Sequence, residues 1–150
     1  MRILVDTNVL IRILEPSSHL HTTAVDSLAR LREDGEFLYI APQNLVEFWA
    51  IATRPIDANG LGFDTDSAKA QVDLIKLHFS LLTENESILN KWEQLVVAHQ
   101  VIGKTVHDAR IVAAMLANGL DTILTFNVSD FRRYASEITI ISPSEIEKPT

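Results

Sequence analysis

Short apolar runs alternate with stretches of helical spacing along the whole chain. Residues 3–5 (Ile-Leu-Val) form an apolar run ended by Asp6, the pattern of a strand buried on both faces. Residues 7–14 place Val9, Leu10, Ile13 and Leu14 at helical spacing and stop before Pro16. A second amphipathic helix is predicted over 19–33, through Ala24, Leu28 and Leu31, closed by Gly35. Residues 37–40 are a second strand, and Pro42 opens a helix carrying Leu45, Phe48, Trp49 and Ala52 as far as Pro55. Residues 56–63, with Asn59-Gly60 and Gly62, are predicted to be a flexible loop. Helices follow over 66–76 and 85–100, with a candidate strand within 78–83. A helix over 106–117 stops at Asn118-Gly119, and residues 122–125 and 139–141 are the last strands. Strands alternating with helices predict an α/β fold with a mostly parallel sheet, whose ligands sit outside the strands' carboxyl ends.

A length of 150 residues fits one domain with its own core, and there is no repeat or linker to divide it. The chain has no cysteine, which excludes disulfides, thiolate zinc sites and cysteine nucleophiles together. The acid at position 6 interrupts the first apolar run too early for a secretory signal. No later run approaches the roughly 20 residues of a membrane span. A soluble, cytoplasmic protein is expected. Its formal net charge of −7 argues against nucleic-acid binding, which phosphate contacts dominate, unless the acids gather divalent cations.

The acids therefore decide the reading. Asp6 follows a strand and opens a helix; Asp108 lies in a first turn, three residues after Thr105, a candidate N-cap. Glu47 sits near the start of the helix after the second strand, flanked by Val46, Phe48 and Trp49. Thr125, Asn127 and Asp130 close the later strand. All fall at the strand-end edge, where converging carboxylates repel unless a cation compensates. An oxygen-only ligand set favours Mg²⁺ or Mn²⁺ over Zn²⁺. The competing readings are ordinary: Asp6 and Asp108 serve helix N-termini, and Glu47 is ion-paired with Arg54 or Arg110.

Asp6-Thr7-Asn8, Leu45-Val46-Glu47-Phe48, Asp108-Ala109-Arg110-Ile111-Val112-Ala113 and the run from Ile123 to Phe131 resemble, in order, the motifs of PIN-domain proteins. Within that family the sequence looks most like VapC-type toxins of toxin–antitoxin pairs. The resemblance implies a three-layer α/β/α fold around a five-stranded parallel sheet. It further implies Mg²⁺- or Mn²⁺-dependent RNA cleavage, a homodimer and inhibition by a cognate antitoxin. It carries metal-ligand roles onto Asp6, Glu47 and Asp108, with Thr7 and Thr125 as supporting hydroxyls. The departure is Asn127, where aspartate is common, with Asp130 three residues on. A neutral amide holds a cation less strongly, which bears on a second metal.

Lys104, Arg110, Arg132 and Arg133 are candidate RNA-phosphate contacts, weighed against a solvated basic face. Trp49 and Trp92 are expected in the core, and His19 and His21 on the surface. The apolar first helices and the Phe48-Trp49 segment leave open an interface with a second copy or an antitoxin. A non-catalytic binding module on the same fold is the alternative function. Haloacid-dehalogenase-like phosphatases fit poorly, because Asn8 stands where they need a second aspartate, and receiver domains lack their adjacent acids here.

Overall fold

The computed structural model describes residues 1–150. The strands are β1 (Arg2–Val5), β2 (Phe37–Ile40), β3 (Ser80–Leu81), β4 (Thr122–Leu124) and β5 (Thr139–Ile141). The helices are α1 (Thr7–Ile13), α2 (His21–Glu33), α3 (Pro42–Ala52), α4 (Thr65–His78), α5 (Glu86–Ala98), α6 (Val106–Ala117) and α7 (Val128–Phe131). All five strands are parallel, in the order β3-β2-β1-β4-β5. Covering both faces explains the uninterrupted apolar runs. Ile3 and Val5 pack with Leu10, Leu28, Phe48 and Ile75 from α1 to α4, while Leu4 and Ile123 pack with Leu95, Ile111 and Met115 from α5 and α6. The result is three layers, α/β/α.

The chain leaves β1 for β2 and β3 on one side and later returns to β4 and β5 on the other, so strand order reverses between β1 and β4. The crevice at the carboxyl ends of those two strands is where such sheets place ligands. Asp6 and Thr125 immediately follow them and extend the ladder, since Asp6 N–H donates to the Leu124 carbonyl and Thr125 N–H to that of Ile141.

Several expectations change. The segment 56–63 is not a loose loop: Leu61, Gly62 and Phe63 donate backbone bonds to Ile51, Arg54 and Ala52, clasping the end of α3. Gly60 is obligatory there, because a Cβ would lie 2.0 Å from the Arg54 carbonyl oxygen. The second helix starts at His21 rather than residue 19, and His21 is no bystander, since its Nδ1 bonds the Arg12 carbonyl at the end of α1. The Thr105 side chain does not cap α6; its hydroxyl donates to the Ile102 carbonyl within a preceding 3-10 turn. Both tryptophans are half-buried rather than core. No helix is long and apolar enough to cross a membrane.

Three helices end in the same turn, in which the third residue beyond the helix bonds back five residues. Gly35 and Gly119 supply the left-handed residue after α2 and α6, but after α5 it is Gln100, at φ 51°. Left-handed backbone costs a residue with a Cβ roughly 1 kcal/mol. Gln100→Gly is therefore expected to stabilise the protein by about 0.5–1 kcal/mol in chemical denaturation. A lowered midpoint would mean that the glutamine side chain itself secures the turn.

Candidate active site

The first acid is locked in place by its neighbours. Asp6 is the N-cap of α1 and only 7% exposed. Its Oδ1 accepts from Thr7 N–H at 2.9 Å, and its Oδ2 accepts from the Thr125 hydroxyl at 2.8 Å and the Asn8 amide at 3.0 Å. Burial pushes its pKa up to about 6, and the charges of Glu47 and Asp108 push the same way. Thus the N-cap reading is geometrically correct yet incomplete, because an ordinary cap does not bury its carboxylate among other acids.

Two threonine hydroxyls orient the acids by the same device. Thr125 Oγ1 donates to Asp6 and accepts from Asn8 Nδ2 and Asn127 N–H, each at 3.0 Å. Thr7 Oγ1 donates to Glu47 Oε1 at 3.0 Å and accepts from Asn44 Nδ2 at 3.1 Å. An amide donor occupying the hydroxyl's lone pair forces its single proton toward the carboxylate. Asn44 is fully buried in the α3 stripe with Phe48 and Ala52, and its Oδ1 takes the Ala41 N–H at 2.8 Å. Asn8 Oδ1 takes the Phe126 N–H, tying β1 to β4 across the crevice. The sequence reading missed Asn8 and Asn44 as site residues. The available signal was an Asn one helical turn before Glu47, and an Asn within the β1-end motif.

Asp108 is different. It is half-buried in the first turn of α6, and its carboxylate makes no hydrogen bond and no ion pair with any protein group. Burial raises its pKa to about 6, the charges of Asp130 and Glu47 add to this, and His107 and Arg133 oppose it. Glu47 does not ion-pair with Arg54 or Arg110. Arg110 turns instead to Glu84 at 2.7 Å and Gln43 Oε1 at 3.0 Å, leaving Glu47 to Thr7.

Glu47, Asp108 and Asp130 line one open cleft of about 860 Å³, with Lys104 and Arg110 on its wall. Asp130 is at this cleft whereas Asn127 is not: Asn127 is exposed, and only its backbone N–H joins the network. Arg132 and Arg133 are exposed and unpaired, and only Arg133 is near enough for its charge to reach Asp108.

The donor chemistry fits a hard divalent ion, being all oxygen, with two carboxylates whose charge is made costly by burial and by neighbouring acids. No three acidic or histidine side chains are gathered tightly enough to grip one ion as a ready-made triad. Mg²⁺ suits such a setting, because it keeps several waters and takes only one or two carboxylates.

A parallel α/β/α domain with an acidic strand-end crevice is the class that fold and site define. The chain belongs to the PIN-domain family, a family of nucleases, whose model matches residues 3–137. Solved structures share the fold. VapBC-1 of nontypeable Haemophilus influenzae superposes with TM-score 0.70 at 16% identity, over 96% of this chain and 99% of that one. VapBC2 of Rickettsia felis, solved with a DNA fragment from its promoter, gives 0.69 at 13%, over 95% and 98%. The sarcin-ricin loop cleaving toxin VapC20 of Mycobacterium tuberculosis gives 0.60 at 21%, over 87% and 93%. A search of curated protein sequences found no match.

Proposed function

We propose that this protein is a metal-dependent endoribonuclease, the cytoplasmic toxin of a toxin–antitoxin pair, acting as a homodimer and restrained by an antitoxin. The observation that carries the chemistry is Asp108, a half-buried carboxylate with no protein partner, beside Glu47 and Asp130 in one cleft and close enough for its charge to act on Asp6. A fold does not leave such a group unpaired for its own stability. The likeness to VapBC structures and to a toxin that cleaves the sarcin-ricin loop supports the biological half of the reading.

In this reading Asp6, Glu47 and Asp108 bind Mg²⁺ or Mn²⁺, one or two of them directly and the rest through its waters, with Asp130 rather than Asn127 as the further acid at the cleft. Such an ion neutralises charge on a phosphodiester and lowers the pKa of a water. Thr7 and Thr125 fix the orientation of the Glu47 and Asp6 carboxylates, each by donating to one of their oxygens. Lys104 and Arg110 lie where they meet phosphate oxygens, and Arg132 and Arg133 extend the basic margin. Water attacks phosphorus in line and the P–O3′ bond breaks, giving 5′-phosphate and 3′-hydroxyl ends.

Purified protein is expected to cleave single-stranded RNA in Mn²⁺ or Mg²⁺ and to stop in excess chelator, with those ends found by end-labelling. Cleavage that continues in chelator, or 2′,3′-cyclic phosphate products, overturns the mechanism.

A further inference from the structure

A second pocket adjoins the acidic cleft. It lies between the first turns of α5 and α6, encloses about 430 Å³, and shares His107 and Arg110 with the cleft. Ile88 lies buried at it, Leu89 is 56% exposed, and Trp92 and Val106 complete the apolar lining. Two of its flat groups are anchored by hydrogen bonds. The Trp92 indole donates to the Val106 carbonyl at 2.9 Å, and the Arg110 guanidinium is fixed by Glu84 and Gln43. Asn85 caps α5 through Oδ1, accepting from Ser87 N–H, so its Nδ2 protons have no partner.

We propose that this pocket receives one unpaired nucleobase of the RNA strand whose phosphodiester lies in the acidic cleft. The inference rests on the endoribonuclease reading and adds a site of base recognition to it. An aromatic ring, an imidazole and a pinned guanidinium are the groups on which proteins stack splayed-out bases. The free Asn85 amide donates to a carbonyl oxygen or ring nitrogen on the base edge. Continuity through His107 and Arg110 sets the base beside the scissile phosphate, so the pocket selects single-stranded over duplex RNA.

Trp92 gives a readout independent of cleavage, because Trp49→Phe leaves it the only tryptophan. This variant is titrated in chelator with an end-labelled single-stranded oligoribonucleotide, binding being followed by label anisotropy and indole fluorescence. RNA is expected to quench Trp92, and an abasic residue at one position is expected to remove the quench. In the same background Asn85→Asp, which keeps the cap, and Leu89→Asp are each expected to weaken binding about tenfold. RNA that binds and is cleaved by the unmodified protein, while Trp92 fluorescence and both variants' affinities stay unchanged, overturns the base pocket but leaves the nuclease reading intact. A Trp92 signal that follows protein concentration without RNA also overturns it, assigning the surface to contact between copies. Protein that neither binds nor cleaves RNA in Mn²⁺ defeats the nuclease reading itself.

Discussion

Asp108→Asn is expected to reduce RNA cleavage by about 10³-fold while leaving the protein as stable as before or more so. The catalytic half follows from the group's place in the cleft. A carboxylate that helps hold an ion opposite the phosphodiester acts on a transition-state charge, and such interactions are worth several kcal/mol, or two to three orders of magnitude in rate. The stability half follows from the absence of any bond to Asp108. Substitution breaks no protein contact, removes a charge pressed by Asp130 and Glu47, and ends the desolvation of a half-buried ion. Against this stands the loss of an acid in a helix first turn, about 0.3–1 kcal/mol. Because the side chain is half exposed, solvent screens much of the repulsion. The net gain at neutral pH is expected to be about 1 kcal/mol, some 2–4 °C in melting temperature for a chain of this size. Thermal melts in chelator and initial cleavage rates in Mn²⁺ measure the two halves. If the variant cleaved normally, Asp108 would be only a helix-terminal acid; if it lost both activity and stability, the carboxylate would be structural.

The parts of the fold and site that were legible in the sequence share a physical cause. Strands β1, β2 and β4 are covered on both faces over residues 3–5, 38–40 and 123–124, so these stretches are aliphatic or aromatic and read as strands directly. Strand β3 has only two residues, both exposed, and lives by pairing with β2, so the sequence located it only as a candidate strand somewhere within 78–83. Helix α7 spans four residues, too short for any periodicity to register. The three principal acids were legible because charge at a strand end, or inside an apolar helix, is costly and therefore conspicuous. Asn8 and Asn44 were not, because a neutral amide is unremarkable in any polar stretch. Their roles arise only when Asn8 meets Thr125, 117 positions away, and Asn44 meets Thr7, 37 positions away. Arg110 misled for a related reason. It lies near Glu47 in the fold, but Glu84 and Gln43 fix its direction, and neither is near it in sequence.

Asp6 should make the metal-free protein less stable as pH rises from about 4 to 6.5, and a divalent ion should reverse the trend. The unfolded chain releases this proton near 3.8, whereas the folded protein holds it until about 6. Below 3.8 both states are protonated and the group contributes nothing. Between those values the folded state binds more protons, so stability falls with rising pH, and above 6 the penalty is complete. A difference of this size corresponds to about 3 kcal/mol for so buried a carboxylate. Asp108 has the same sign and a smaller weight, being half exposed. An ion that binds the ionised crevice stabilises in proportion to its saturation, and it loses its ligands as they protonate. Mn²⁺ is therefore expected to raise the melting temperature by several degrees near pH 7.5 and hardly at all near pH 5. The net charge of −7 adds a general pH dependence through repulsion. The decisive quantity is accordingly the difference between the native protein and Asp6→Asn at each pH. The variant loses one acceptor toward Asn8 or Thr125, about 1 kcal/mol, but no longer carries a buried charge. It should melt below the native protein near pH 4, above it near pH 7.5 in chelator, and respond little to Mn²⁺. Parallel melting curves for the two proteins across this range would mean that the ionised Asp6 is fully compensated by Thr7, Asn8 and Thr125, and the crevice would then have no electrostatic need of a cation.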